Sequence, residues 1–171
     1  MNDIEEVFYS VIRRILPSFD PDAIRRVHQA FGMPSFSNTE DRIFFDVVEA
    51  DADIAKQVYF DDGYDSVKDR IARVHERTIT LNLNVIVYGP NSYDLSIKIR
   101  DGFFFEETRR LLRENSLFFV PYHQPTRFFP EQLNGVWYNR YDFEITFNRA
   151  WSSASEELNY IENTTINVEG E

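Results

Sequence analysis

Carboxylates are the side chains of this sequence that are best suited to chemistry. A group of them falls in one predicted strand and the polar segment after it: Asp46, Glu49, Asp51, Asp53, Asp61, Asp62 and Asp65. Clustered carboxylates can hold Mg²⁺ and support hydrolysis of a phosphodiester. One hypothesis is therefore a Mg²⁺-dependent hydrolase that uses Asp46, Asp51 and Asp53.

The surroundings of these acids argue against catalysis. The segment from Asp61 to Asp65 lacks the spacing of a calcium-binding loop, and no lysine or histidine recurs beside the acids. A hydrolase acting on nucleic acid also needs basic residues to attract its substrate. We therefore expect a solvated acidic rim, and we predict no metal site, no cofactor site and no catalytic residue.

The other residues that often carry chemistry give no site. His28, His75 and His123 fit no metal-ligand spacing, so we interpret them as ordinary strand or loop residues. The chain has no cysteine, which excludes disulfides, thiolate zinc sites and a cysteine nucleophile. The segment 88–91 holds a single glycine, too few to cradle a phosphate, and is typical of a strand-to-helix turn. The sequence predicts a protein that is not an enzyme.

Charge and aromatic content indicate the class of partner. The formal net charge is -11, which disfavours binding to DNA phosphates. Aromatic residues make up 16% of the chain, so we expect some of them at subunit interfaces. A base-stacking platform in the aromatic segment 137–151 is disfavoured because Asp142 and Glu144 would repel phosphates. An acidic DNA mimic that occupies a nucleic-acid-binding enzyme stays open as an alternative.

Apolar periodicity in the first half predicts one helix and two strands. The helix spans residues 4–16 and ends at Pro17. Residues 23–31 fit a short helix or an edge strand, with the strand favoured. Strands are predicted at 42–54 and, from strict alternation, at 77–88. The polar residues 55–73 between them indicate a hairpin tip or a flexible loop.

The second half predicts one helix and further strands. A helix over 92–113, bent at Gly102, precedes an edge strand or extended segment from residue 117. The alternating residues 136–151 predict a strand about 50 Å long, part of which should project beyond a core of this size. The fold class is α+β, a mostly antiparallel sheet with two main helices on one face and a long projecting hairpin.

Domain organisation follows from length and composition. We predict one α+β domain over residues 1–151 and a polar, acidic C-terminal extension over 152–171 that could include a short strand. The N-terminus lacks the basic and apolar regions of a signal peptide, and no apolar run is long enough to span a bilayer. We expect a soluble protein.

Three segments of the second half carry a resemblance: VIVYGPNSYDLSIKIR, RRLLRENSLFFVP and the passage from FPEQLNG into VWYNRYDFEITFNRAW. Through them residues 78–151, and more loosely the N-terminal helix, resemble phage tail-terminator or neck proteins. The resemblance implies a small α+β subunit in a ring, usually six-fold, that caps the tail tube and joins it to the head-side connector. It also implies a place in the virion neck, assembly in the host cytoplasm, and passage of DNA through the ring without specific binding. This family has no catalytic residues to carry over.

The leading hypothesis is thus a virion structural protein, a tail terminator of a tailed phage. The overlong segments 42–88 and 137–151 could reach a neighbouring subunit and add strand pairing to a cyclic interface. Another head-tail joining or tail-completion protein fits the same features. The acidic DNA mimic and the Mg²⁺-dependent hydrolase are the alternatives from other classes.

Overall fold

The chain folds into helices packed on a mostly antiparallel sheet. The structure, a computed structural model, describes residues 2–28, 35–51, 58–65, 70–121 and 125–158. These ranges contain three α-helices and a sheet of seven strands, which confirms the predicted α+β class. No helix within them is long and apolar enough to cross a membrane.

The elements are numbered in chain order. The helices are α1 (Asn2–Ile15), α2 (Ser92–Gly102) and α3 (Glu106–Glu114), with a short 3-10 helix at Pro21–Ala23. The strands are β1 (Ile24–Arg26), β2 (Arg42–Glu49), β3 (Val58–Asp65), β4 (Arg70–Tyr88), β5 (Leu117–Phe119), β6 (Arg127–Phe128), β7 (Glu131–Leu133), β8 (Val136–Tyr138) and β9 (Arg140–Leu158).

Two long strands organise the sheet. The strand order is β1-β2-β4-β9-β5, with β3 also beside β4 and β6 also beside β9. Strands β1 and β2 are parallel, and the other pairs are antiparallel. β4 and β9 have 19 residues each and pair from Tyr88 opposite Arg140 to Ile71 opposite Leu158. Strands β7 and β8 form a separate hairpin.

The core lies between one face of the sheet and the helices. Alternate residues of β4, including Leu83, Val85 and Val87, are fully buried, as the sequence alternation predicts. Phe8 of α1 packs on Phe147 of β9 with ring centroids 4.8 Å apart. The aromatic and branched side chains of both layers thus supply most of the buried apolar surface.

The structure confirms several predicted elements. The N-terminal helix covers Asn2–Ile15, and the segment from residue 23 forms the edge strand β1, although residues 29–34 lie outside the described ranges. Segment 55–73 contributes a hairpin, because β3 pairs with the start of β4. After residue 117, the chain forms two short strands, β5 and β6, on the outer side of β9.

Three predicted boundaries are wrong. The helix predicted over 92–113 is two helices, because the chain leaves helical geometry at Phe105, which is extended with ψ of 138°. The strand predicted over 42–54 ends at Glu49. The strand predicted over 136–151 is interrupted at Asn139, and β9 continues to Leu158, beyond residue 151.

Candidate assembly surfaces

The sheet face opposite the helices is open and polar. Strands β2, β4 and β9 place Asp46, Asn84 and Glu144 side by side across this face, because the three residues are register partners. All three are partly exposed. The Asp46 carboxylate accepts the Val47 backbone N–H at 2.9 Å. We call this surface the open face.

A shallow groove of about 400 Å³ crosses the open face. Its lining includes Asp46 and Glu144 from the sheet, and Arg127 and Phe129 from the segment around β6. Small-molecule sites are usually enclosed and mostly apolar with a few polar groups. This groove is open and is lined by both acidic and basic side chains. It therefore resembles ordinary protein surface more than a small-molecule site.

A charged node fastens the β7–β8 hairpin to the ends of β4 and β9. The Tyr88 hydroxyl donates to Glu131 Oε2 at 2.5 Å, and Arg140 reaches the same oxygen at 3.1 Å. Arg140 also forms a bidentate pair with Asp142, with distances of 2.6 and 2.8 Å. Its guanidinium lies 5.8 Å from the centre of the Tyr88 ring.

The protonation states of this node are fixed near neutral pH. Burial and the hydrogen bond to Glu131 raise the pKa of Tyr88 well above its ordinary value. The hydrogen bond from Tyr88 lowers the pKa of Glu131, and the hydrogen bond to Asp142 raises the pKa of Arg140. A general acid or base needs a pKa near the working pH. The pKa values of Tyr88, Glu131 and Arg140 all move further from neutral pH. We therefore interpret the node as a structural contact.

An aromatic cluster closes one end of the open face. Phe36 contacts the rings of Phe44, Tyr88 and Tyr138 with centroid distances of 5.8, 5.4 and 5.3 Å. The Tyr138 hydroxyl donates to the Phe36 carbonyl at 2.9 Å. The segment around Phe36 and strand β8 are thereby held against the sheet.

Exposed aromatic residues gather at this same end of the molecule. Tyr141 of β9 stands between Phe128 of β6 and Tyr93 of α2, with ring centroids 5.0 and 5.3 Å away. Phe128 and Tyr93 are 50% and 54% exposed, and Trp137 of β8 is 62% exposed. Clustered exposed aromatics are typical of protein interfaces. We call Tyr93, Phe128 and Tyr141 the aromatic end.

The opposite end is a three-stranded ribbon. It consists of β3, residues 70–77 of β4 and residues 151–158 of β9, and the β4–β9 pairing shifts its register between Arg73 and Val74. Eight residues of strand span about 26 Å. At its base the Arg77 guanidinium lies 5.1 Å from the centre of the Trp151 ring, and Tyr59 is 62% exposed. We call this three-stranded unit the ribbon.

The acidic residues singled out in the sequence are distributed over both surfaces. Asp46 lies on the open face and Asp51 is exposed after β2, whereas Asp53 falls outside the described ranges. Asp61, Asp62 and Asp65 belong to β3, in the ribbon. Within the described part of the chain, no group of three histidines or acids is placed to hold a metal ion.

The two histidines that the structure describes lie in different parts of the fold. His28 is exposed after β1, and His75 lies in the ribbon part of β4. His123 falls outside the described ranges.

The strand-to-helix turn after β4 is held by a carboxylate. Asp41 accepts the Asn91 backbone N–H and the Asn91 side-chain amide, each at 2.9 Å. Gly89 has φ of 115° and packs against the backbone of residues 40 and 41. Sequence reasoning missed Asp41, since 50 residues separate it from Asn91.

Glu131 and Arg140 were also missed as anchoring residues. The Asn134-Gly135 pair, a strong hairpin signal, would have located the β7–β8 hairpin that carries Glu131. The structure places Asn134 and Gly135 at φ of 50° and 82°, as a tight hairpin turn requires.

Comparison with known proteins identifies the family. Residues 2–171 match a family described as phage neck terminator protein. No curated protein is detectably similar to this sequence. The match covers nearly the whole chain and agrees with the resemblance seen in residues 78–151. The chain therefore belongs to the phage neck terminator protein family, a family of structural proteins of the phage neck.

Proposed function

We propose that this protein is a tail terminator that assembles as a ring, with six subunits as the expected number. The ring caps the tail tube and joins it to the head-side connector in the virion neck. The observation that carries the proposal is the family match over residues 2–171. The mechanism is assembly: the ring stops polymerisation of the tube and presents a docking surface.

The separation of two candidate contact surfaces supports this role. The aromatic end lies where β4 stops at Tyr88, and the ribbon lies where β4 starts at Arg70. A strand of this length spans about 60 Å. A subunit that contacts its own copies, a tube and a connector needs several distant surfaces. One pair of long strands, β4 and β9, carries both surfaces.

Charge supports passage of DNA through the ring without binding. Acidic residues exceed basic ones by 29 to 18 over the whole chain. Phosphate binding relies on lysine and arginine that displace counterions. A ring lined with negative potential repels the duplex, so DNA can move through it.

The test is the mass of the purified protein in solution, measured by light scattering at low and high salt. It is measured alone and after mixing with tail-tube protein. We expect a discrete ring, or one that forms only with the tube. A monomer that ignores the tube at every salt concentration would overturn the proposal. Tight, salt-sensitive binding to a basic nucleic-acid enzyme would support the DNA mimic instead.

A matched pair of variants tests the aromatic end as a contact surface. Replacing both Tyr93 and Phe128 with serine removes two exposed rings, and the control is Phe105→Ser, which removes a ring 62% exposed at the α2–α3 turn. We expect the double variant to fold normally and to lose contact with tube or connector. If the double variant binds the tube and the connector as well as Phe105→Ser does, the aromatic end is not part of the interface.

A further inference from the structure

The β7–β8 hairpin lies outside the main sheet and has two unlike faces. Glu131 and Tyr138 are register partners, so they share a face, and both contact Tyr88 of the sheet. Gln132 and Trp137 are the next pair along the hairpin and therefore lie on the opposite face. Both are exposed, and Trp137 is 62% exposed. The hairpin thus holds a large apolar side chain on its outer face.

The inner face of the hairpin fixes the position of this indole. The charged node holds Glu131, and the Tyr138 hydroxyl donates to the Phe36 carbonyl at 2.9 Å. The turn of the hairpin has the positive φ values of a tight two-residue turn, 50° and 82°. A side chain on a support of fixed geometry loses less conformational entropy when it binds, which favours affinity. Trp137 therefore has both the exposure and the rigid support of an interface anchor.

Charge indicates the kind of partner that this hairpin fits. Residues 132–139 contain no acidic or basic side chain, whereas the whole chain has a net charge of -11. Glu131, at the start of the hairpin, is paired with Arg140 at 3.1 Å. Two copies of an acidic chain repel each other, so a contact between them costs least at an uncharged surface. A nucleic acid would need basic residues, which these positions lack, so a second copy is the partner that fits.

We infer that the β7–β8 hairpin is the element through which one subunit contacts the next, with Trp137 as its main anchor. The inference rests on the proposed ring and names a contact that forms it. A hairpin and the surface that receives it are different parts of the subunit, so the interface is heterologous and produces a ring when its rotation closes. Burial of a tryptophan removes about 150–250 Å² from water. Val136, which is 43% exposed, extends the apolar surface at the turn.

Photocrosslinking identifies what the outer face of the hairpin contacts. The chain has no cysteine, so Gln132→Cys provides a single site for a benzophenone label opposite Trp137 and leaves Trp137 in place. The labelled protein is irradiated alone and after mixing with tail-tube protein, and the products are identified by denaturing gel and mass spectrometry. The same protein irradiated in urea measures crosslinks that arise from random collisions. Circular dichroism and scattering mass verify the fold and the ring.

A pair of unlabelled variants measures the contribution of the indole itself. Trp137→Ala removes it, and Phe105→Ala is the control because both parent side chains are 62% exposed. Scattering mass is followed over a dilution series, with tail-tube protein present where the ring requires it. Truncation of an interface hot spot should weaken association between copies by about 30-fold, which corresponds to about 2 kcal/mol. We expect this loss for Trp137→Ala and unchanged association for Phe105→Ala.

The expected crosslinking result is a covalent dimer of this chain wherever the ring forms, and none in urea. A ring whose label attaches only to tube protein, or to no second chain, would overturn the hairpin contact and leave the proposed function standing. Equal association of Trp137→Ala and Phe105→Ala would also overturn the contact. If the parent protein forms no ring, alone or with the tube, the proposed function fails and the inference fails with it.

Discussion

Replacing Gly89 with alanine should destabilise the fold more than the same change at Gly135. Both glycines have positive φ, 115° and 82°, so each alanine introduces strain of about 1–2 kcal/mol. At Gly89 the added Cβ would lie 2.7 Å from both Asp41 Cα and the Glu40 carbonyl oxygen. At Gly135 nothing lies within 4 Å.

The difference in unfolding free energy between the two variants gives the cost of the clash between the added Cβ at residue 89 and the backbone of residues 40 and 41. Backbone atoms cannot rotate away, so overpacking adds about 1–3 kcal/mol at Gly89. We expect a total loss of about 2–5 kcal/mol for Gly89→Ala and about 1–2 kcal/mol for Gly135→Ala. Stabilisation through the unfolded chain is similar for both and cancels in the difference.

Urea unfolding followed by circular dichroism measures both changes. In a protein of this size, 1 kcal/mol corresponds to about 2–4 °C in melting temperature, so a thermal scan gives an independent value. Equal losses for the two variants would refute the close packing of the strand-to-helix turn against residues 40 and 41. A larger loss at Gly135 would do the same.

Two further predictions concern the node and the core. The lowered pKa of Glu131 means that its contribution to stability is present above the ordinary value of 4.5 and is lost as pH falls through the lowered pKa. Glu131→Gln should therefore flatten the fall of the urea midpoint as the pH drops below 4.5, and an unchanged slope would contradict the node. Phe147→Ala should cost about 3–5 kcal/mol, since Phe147 is fully buried against Phe8, Phe103 and Phe119. Phe118→Ala, at a ring 49% exposed, is its control and should cost far less in the same urea titration.

Most of the sheet was predictable because its residues obey one local rule. Alternation in residues 77–88 and in 141–147 follows burial on one face, and the structure confirms it at Leu83, Val85 and Phe147. The first helix was predictable from apolar spacing that ends at Pro17. Both patterns depend only on neighbouring residues.

The misplaced boundaries depend on tertiary contacts. Residues 92–113 have helical spacing throughout, yet the chain is extended at Phe105 and a second helix begins at Glu106. Alternation crosses Asn139 without a break, although the strand is interrupted there. The sequence pattern records which face is apolar, but the points where the chain turns are set by what packs against that face.

The candidate surfaces were less predictable than the fold. The surplus of aromatics indicated interfaces, but the meeting of Tyr93, Phe128 and Tyr141 requires three elements brought together by folding. The acids drew attention in the sequence, whereas the structure ties the β7–β8 hairpin with Glu131, outside the acidic run. Residues that are far apart in the sequence but paired in the fold leave no pattern in the local spacing of residue types.

The length of β4 carries the ribbon beyond the most deeply buried part of the sheet. On the core-facing side of β4, Leu83 is fully buried, whereas Ile79 and Arg77 are only partly buried. Ordering the backbone of each residue costs about 1–2 kcal/mol, and a ladder hydrogen bond returns a net of about 0.5–1.5 kcal/mol. A narrow ribbon therefore gains little stability within its own subunit. The pairing of β4 with both β3 and β9 is therefore the main contact that the structure gives the ribbon.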